Sequence, residues 1–439
     1  MRRILLVALT VLSLDGAAAQ TTLPSKGSDI HLGVTSCGGS TCHGATQSVR
    51  GSQVLQNEYL IWQRQDKHAK AYSVLLEPRS QRIARNLGLP DAHTAKVCLD
   101  CHADNVSENL RGRQFQVSDG VGCEGCHGGG QRWLGAHVAG VASTEDLHKL
   151  GMYPTQNPVA RAELCLSCHL GDETKFVTHR MMGAGHPRLA FELDTFTEIQ
   201  PAHYVVDDDY RKRKTVASGV QTWAVGQAMA VSRTMAGLAD ASRRMVGAFP
   251  ELTFYDCHSC HHPMSNLRWQ RRESTGLGPG VIRFNDSNIL MLRLLARRIA
   301  PEDGASLSGR LQALHAAMSE GKGDVGAVAR EIKTVADRLV QRFARHAFGP
   351  EDMRALLASL VADGRDGHFA DYGGAEQATM ALASVVQALR RAGGLTDAQG
   401  NDLRLAIEQC YSATAKDETY DPAVFVRALD AVERALPRG

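Results

Sequence analysis

Ten of the eleven cysteines form five pairs, and a histidine directly follows the second cysteine of every pair. The five sites, numbered 1 to 5 in chain order, are Cys37, Cys42 and His43; Cys98, Cys101 and His102; Cys123, Cys126 and His127; Cys165, Cys168 and His169; and Cys257, Cys260 and His261. Sites 2 to 5 have the form C-x-x-C-H. Chance would supply on the order of 0.01 such matches in a chain of this composition, so four matches indicate a specific chemistry.

That chemistry is covalent attachment of haem c. Two thiols add across the vinyl groups on one edge of the porphyrin, and the adjacent histidine gives a ring nitrogen to the iron. Two intervening residues let one helical turn place both sulfurs on the same edge. Site 1 has four intervening residues, and we expect Gly38 and Gly39 to supply the unusual backbone angles of a longer loop. The sequence therefore predicts five haem c groups.

Two other uses of paired cysteines fit less well. A disulfide scaffold has no need for a histidine after every second cysteine, and such scaffolds are short. Structural zinc sites use C-x-x-C pairs but also lack that repeated histidine. Cys410 lies outside the pairs, and we predict that it is a small buried apolar residue.

The N-terminus has the pattern of a secretory signal peptide. Arg2 and Arg3 precede an apolar run at 4–14, and three alanines follow at 17–19. The run is too short to span a bilayer. We predict a signal peptide over residues 1–19 and a periplasmic protein without a membrane span. The formal net charge of +2 gives no indication of nucleic-acid binding.

The remaining pattern predicts a mainly α fold in two parts. A loop-rich multihaem cytochrome c domain is expected at 20–275, because about fifty residues per motif are too few to wrap each haem separately. Residues 273–280, ESTGLGPG, mark a break. A haem-free helical domain is expected at 281–439, and it either packs beside the haems or serves in assembly with a partner.

Helical periodicity supports this division. A long helix is expected at 216–247. In the C-terminal part the clearest pattern has apolar residues three and four positions apart, at Val325, Val328, Ile332, Val335, Leu339 and Phe343. Further helices are expected at about 306–320, 351–362, 375–392, 397–412 and 421–436.

Three segments resemble the multihaem cytochrome c-554 family, which is related to hydroxylamine oxidoreductase. They are WQRQDKHAKA from Trp62, GVGCEGCHG from Gly120 with WLGAH from Trp133, and LCLSCHL from Leu164. The resemblance implies closely packed haems with two histidine ligands at most irons. It implies that His137 is the second ligand at site 1 and that His68 is the second ligand at site 4. The fifth site and the C-terminal part depart from the family pattern.

Three more histidines are candidate second ligands, namely His179 and His186 in THRMMGAGHPR and His203 in QPAHY. His31, His93 and His148 are reserves, whereas His258 is expected to point away from the iron and His262 to be pinned beside a ligand. Methionines 181, 182 and 264 are alternative ligands but are more often core residues. Arg180, Arg188 and Lys212 are candidate partners of haem propionates.

Three functions fit these observations. The preferred one is an electron carrier between other redox proteins, its donor and acceptor. The second is an oxidoreductase that acts on a small nitrogen or sulfur compound at one open iron; the absence of C-x-x-C-K argues against a cytochrome c nitrite reductase. The third is a docking subunit of a respiratory assembly. The resemblance leaves the haem of site 2 undecided, because this haem can lack a second ligand in the family.

Overall fold

The computed structural model describes residues 22–47, 55–261, 272, 275–278 and 280–437. Helices make up 63% of the structure and strands 2%, which confirms the predicted mainly α fold. In the N-terminal half the α-helices are α1 Glu58–Gln65, α2 Ala71–Val74, α3 Pro78–Leu87, α4 Lys96–His102, α5 Cys123–His127, α6 Leu134–Ala139, α7 Thr144–Lys149, α8 Pro158–His169, α9 His179–Gly183, α10 Leu193–Ile199 and α11 Asp208–Arg213. Most are short and are separated by loops.

Longer helices follow. They are α12 Gly219–Ala239, α13 Ala241–Arg244, α14 Ser287–Ile299, α15 Pro301–Glu320, α16 Val325–Arg345, α17 Pro350–Arg365, α18 Tyr372–Arg391, α19 Asp397–Ala413 and α20 Pro422–Ala435. Two strands, β1 Met245–Val246 and β2 Phe249–Pro250, form an antiparallel hairpin after α13. The helix expected at 216–247 is shorter than predicted, because α12 ends before Asp240 and the chain passes through α13 into this hairpin.

Helix α12 is the centre of the fold. The Ser218 hydroxyl caps its first turn by accepting a hydrogen bond from the Gln221 backbone N–H. Buried residues, most of them apolar, lie on all sides of the helix, and Trp223 and Met235 have no exposed surface. Helix α16 packs along it most extensively, and α8, α10, α14 and α18 cover its other sides. A helix that is apolar all round is stable only when it is enclosed in this way.

One hydrophobic core joins the segment of site 4 to the C-terminal helices. Leu166 of α8, Trp223 of α12, Leu290 of α14, Leu339 of α16 and Leu382 of α18 all belong to it. The C-terminal helices are thus packed directly beside the segment that ends at His169. Whether residues 20–275 and 281–439 are separate domains stays a prediction.

The C-terminal helices follow the sequence pattern closely. In α16, Ile332, Val335, Leu339 and Phe343 are buried, and the Asp324 carboxylate caps the first turn. The predicted start of α20 is also confirmed, since the Asp421 side chain accepts from the Ala423 N–H and Pro422 opens the helix. Helix α14 was not predicted. Every residue from Ile289 to Ala296 in it is buried, so it lacks the polar face on which periodicity depends.

Candidate haem-binding centre

Three of the five cysteine–histidine motifs lie at the C-terminal ends of helices. Helices α4, α5 and α8 each end at the histidine of sites 2, 3 and 4. Residues three apart lie on one face of a helix, so the two sulfurs of each motif project to the same side. At site 5, residues 257–259 form a short 3₁₀ helix that serves the same purpose.

Site 1 achieves this arrangement with a longer loop. The His43 backbone N–H donates to the Cys37 carbonyl at 3.1 Å, which closes the loop and brings its ends together. The expectation of unusual backbone angles at Gly38 and Gly39 is wrong, because neither has a positive φ. At Gly38 the need for glycine is one of space: a Cβ there would approach the Tyr59 ring to 3.1 Å.

Each motif histidine faces a second histidine from a distant part of the chain. The ring centroids are separated by 6.0 Å for His43 and His137, 6.5 Å for His102 and His186, 6.3 Å for His127 and His203, 6.1 Å for His169 and His68, and 6.3 Å for His261 and His179. Two imidazoles that bind one metal ion from opposite sides, at the roughly 2.0–2.1 Å metal–nitrogen distance of zinc sites, have centroids about 6 Å apart. All five separations therefore fit a single iron between the rings.

The five pairs differ in the angle between their rings. The two rings at site 1 are nearly parallel, at 10°. Those at sites 2, 3 and 4 are nearly perpendicular, at 86°, 85° and 89°. At site 5 the angle is intermediate, at 39°.

Five of the ten paired imidazoles have a lowered pKa, which favours the neutral form that can bind a metal. Burial, reinforced by neighbouring positive groups, lowers the pKa of His127 to about 4, and burial together with His68 lowers that of His169 to about 4. Burial also lowers the pKa of His137, His186 and His203. A neutral ring keeps a nitrogen lone pair for a metal at physiological pH.

Two of the histidines contact carboxylates. His43 Nδ1 lies 2.9 Å from Glu58 Oε2, and His68 Nδ1 lies 2.8 Å from Asp66 Oδ1. These contacts raise the pKa of both imidazoles. A hydrogen bond from Nδ1 fixes the ring orientation and leaves Nε2 for the metal. Neither carboxylate was singled out from the sequence, although the D-x-H spacing of residues 66 and 68 was a usable signal.

The motif thiols bring different sites together. All ten motif cysteines are free and none is fully buried, whereas Cys410 is buried, as predicted. The Cys123 thiol of site 3 lowers the pKa of the Cys37 thiol of site 1, which places the two thiols close together. The Cys101 thiol of site 2 similarly lowers the pKa of Cys168 at site 4. Sites 1 and 3 are therefore adjacent, and so are sites 2 and 4.

Beside site 5 there is a cavity. Cys257 and Phe254 line one part of it, and Met182, Arg188 and Arg243 line others. The cavity lining combines apolar side chains with the guanidinium groups of Arg188 and Arg243, a combination that suits a flat apolar ring that carries carboxylates. Arg188 also binds Glu376 of α18 at 2.9 Å and so ties this region to the C-terminal helices.

The other candidate side chains lie elsewhere. His31 is buried and contacts Asp104 at 2.7 Å; the reserves His93 and His148 contact Asp91 and Gln156. His258 lies beside the Tyr372 ring, and Arg180 donates to the Leu87 carbonyl. His262 and Met264 lie outside the described residues.

Residues 36–128 match the family model described as cytochrome c554 and c-prime. This segment is similar to the cytochrome c-554 family. It contains sites 1, 2 and 3, and the similarity supports a protein that holds covalently bound haem and transfers electrons with redox-protein partners. The chain has no match among curated proteins or solved structures.

No helix in the described part of the chain is both long and apolar enough to cross a membrane. Within the same residues, no three or more His, Cys, Asp or Glu side chains converge as a metal site.

Proposed function

We propose that this protein is an exported pentahaem cytochrome c that takes electrons from one redox protein in the periplasm and passes them to another. The observation that carries the proposal is the pairing of all five motif histidines with a second histidine at the separation a single iron requires. An iron with two histidine ligands in addition to the porphyrin has no position for a substrate. Such an iron changes its oxidation state without binding anything further.

The residues of the chain divide the work of holding the haems. At each site the two cysteines would form the thioether bonds, and the next histidine would supply one nitrogen to the iron. The second nitrogen would come from His137, His186, His203, His68 and His179 for sites 1 to 5. The haems supply the one-electron chemistry, and the protein sets their positions and surroundings.

The arrangement supports electron movement between sites. The proximity of Cys37 to Cys123, and the 3.9 Å contact of Cys168 Sγ with the Asp100 carbonyl oxygen, support close packing of the haems of sites 1 and 3 and of sites 2 and 4. His179 and His186 lie in one short segment, so sites 5 and 2 are linked through it. Site 5 consequently extends the four-site arrangement rather than standing apart.

The oxidoreductase alternative needs an open iron, and site 2 was the candidate. His186 lies opposite His102 there, and its Nδ1 donates to the Pro187 carbonyl at 2.8 Å, which fixes the ring. This contact favours the carrier. The C-terminal helices then support the haem core, with assembly with a partner as a further role.

Carbon monoxide binding to the reduced protein tests this proposal. We expect no complex, because all five irons have two protein ligands. A stoichiometric complex together with rapid turnover of hydroxylamine, nitrite or sulfite would replace the carrier with the enzyme.

A further inference from the structure

The groups that accept hydrogen bonds from the paired histidines differ in charge. At site 1, the Glu58 carboxylate accepts from His43 Nδ1 at 2.9 Å. At site 4, the Asp66 carboxylate accepts from His68 Nδ1 at 2.8 Å. Each of these two sites therefore has a formal negative charge on the far side of one ligand ring.

Both carboxylates are held in place by other groups. Asp66 is only 4% exposed, its Oδ1 also accepts from the His68 backbone N–H at 3.0 Å, and its Oδ2 accepts from Gln200 Nε2 at 2.9 Å. Glu58 Oε1 accepts from the Gln56 backbone N–H at 3.1 Å. Because these bonds hold each carboxylate in place, its hydrogen bond with the imidazole is a fixed feature of the site.

Site 2 has a different environment. His102 Nδ1 donates to the Ala71 carbonyl at 2.9 Å, and His186 Nδ1 donates to the Pro187 carbonyl at 2.8 Å. Both acceptors are neutral. The Arg79 guanidinium donates to the Gly185 carbonyl at 3.2 Å, which places a positive charge next to the residue before His186.

We propose that Glu58 and Asp66 lower the reduction potentials of the haems at sites 1 and 4, so that both potentials lie below that of the haem at site 2. This inference rests on the proposed function, because it takes the histidine pairs as iron ligands. A carboxylate that accepts the Nδ1 hydrogen makes the imidazole a stronger donor, which stabilises the ferric state. The negative charge of each carboxylate also stabilises the ferric state. This effect is strong at Asp66, because little water screens a buried group.

The consequence is an order among the sites. An electron that enters at site 1 or site 4 is driven toward site 2. Sites 2 and 4 are adjacent, because Cys168 Sγ lies 3.9 Å from the carbonyl oxygen of Asp100 within the site 2 motif. Of sites 1, 2 and 4, site 2 is then the one that an electron occupies last. Its neutral acceptors and the nearby guanidinium stabilise the ferrous state relative to the other two sites.

Asp66→Asn in the full-length holoprotein is the cleanest test. The amide oxygen can keep both bonds to His68, and the amide nitrogen can face Gln200 once that side chain rotates to present its oxygen. The shape is kept and the charge is lost. Glu77→Gln is the matched control, since Glu77 is exposed at the start of α3 and makes no side-chain cap.

Potentiometric titration of the purified protein measures the outcome. We expect the potential of site 4 to shift upward in Asp66→Asn, a smaller shift at site 3, where His203 also lies near Asp66, and no change at site 2. Glu58→Gln should raise a second low potential, and Glu77→Gln should leave all five in place.

Two results would overturn the inference. One is an unchanged set of potentials in Asp66→Asn with five haems and low-spin spectra retained. The other is a shift confined to the potential of site 2. If Asp66→Asn does not fold, Asp66→Glu keeps the charge and should retain near wild-type potentials, and Glu58→Gln then decides the question. Missing haems or high-spin irons in the wild-type protein would instead count against the proposed function.

Discussion

The imidazole planes of His43 and His137 lie 10° apart, with ring centroids separated by 6.0 Å. At sites 2, 3 and 4 the two planes of each pair are nearly perpendicular. When both rings bind one iron, both planes contain the axis through the iron, so this angle determines how the iron d orbitals split. Parallel rings separate two of these orbitals, whereas perpendicular rings leave them nearly equal in energy.

Electron paramagnetic resonance of the oxidised protein should therefore show two kinds of low-spin iron. We expect one rhombic signal from site 1 and three strongly anisotropic signals from sites 2, 3 and 4. Site 5, at 39°, should lie between them. A Cys37→Ala, Cys42→Ala double variant should lose the rhombic signal alone. Five identical signals would contradict the ring geometry.

Mass spectrometry of the denatured protein should give the chain from residue 20 plus five haems. The reason is that all five motifs combine two thiols with an adjacent histidine. The variant Cys37→Ala, Cys42→Ala should contain four haems, and Cys410→Ala should still contain five. Four haems in the wild-type protein would exclude the long loop as an attachment site.

His186→Ala should open one iron. The haem of site 2 would keep His102 and lose its opposite ligand, so we expect one high-spin iron and one equivalent of bound carbon monoxide after reduction. His93→Ala is the control, because His93 contacts Asp91 and faces none of the five motif histidines in the described structure. Unchanged spectra in His186→Ala would mean that another residue binds this iron.

The stability of the protein should depend on the protonation of Asp194. This buried carboxyl has a pKa raised to about 7 by burial and by the nearby Glu192. Because the folded state holds the proton more tightly than the unfolded chain, its contribution to stability is present below the ordinary pKa of 3.8 and is lost as the pH rises toward 7. In urea unfolding, the free energy of unfolding of Asp194→Asn should fall less between pH 4 and pH 7 than that of the wild type. An identical loss would assign the dependence to other groups.

Trp223→Ala should destabilise both halves of the protein together. The side chain has no exposed surface and lies in the core shared by α8, α12 and the C-terminal helices. Removing a buried tryptophan costs about 3–5 kcal/mol of unfolding free energy. Phe249→Ala in the hairpin is the control, since Phe249 is 75% exposed and should change stability by less than about 0.5 kcal/mol. Urea unfolding followed by circular dichroism measures both.

Local spacing determined how much the sequence could predict. The attachment motifs and the capped, amphipathic C-terminal helices depend on residues close in the chain. Helix α14 lacks a polar face, and the hairpin after Asp240 depends on packing, so neither was predicted. For His179, His186 and His203 the sequence left open which site each one serves, because that depends on how distant segments meet.

The groups that accept hydrogen bonds from the paired histidines were the hardest part of the site to predict. Glu58 follows His43 by fifteen positions, and the intervening chain contains no regular spacing that would connect the two. The Ala71 carbonyl that accepts from His102 is a backbone group, so side-chain identity says nothing about it. The positions of such acceptors follow from the tertiary fold alone.

If the chain is exported as proposed, the histidine pairs also constrain the order in which it can mature. If each pair holds an iron, the haems close loops of chain over residues 43–137, 68–169, 102–186, 127–203 and 179–261. Every loop begins inside the one before it, so none can be completed as an independent module. Attachment to the cysteines can proceed as each motif emerges, whereas the second ligand of site 1 arrives only after three motifs have crossed the membrane. Newly exported chains should therefore pass through a stage with haems attached and irons still open, a stage that ends only when His261 has been delivered.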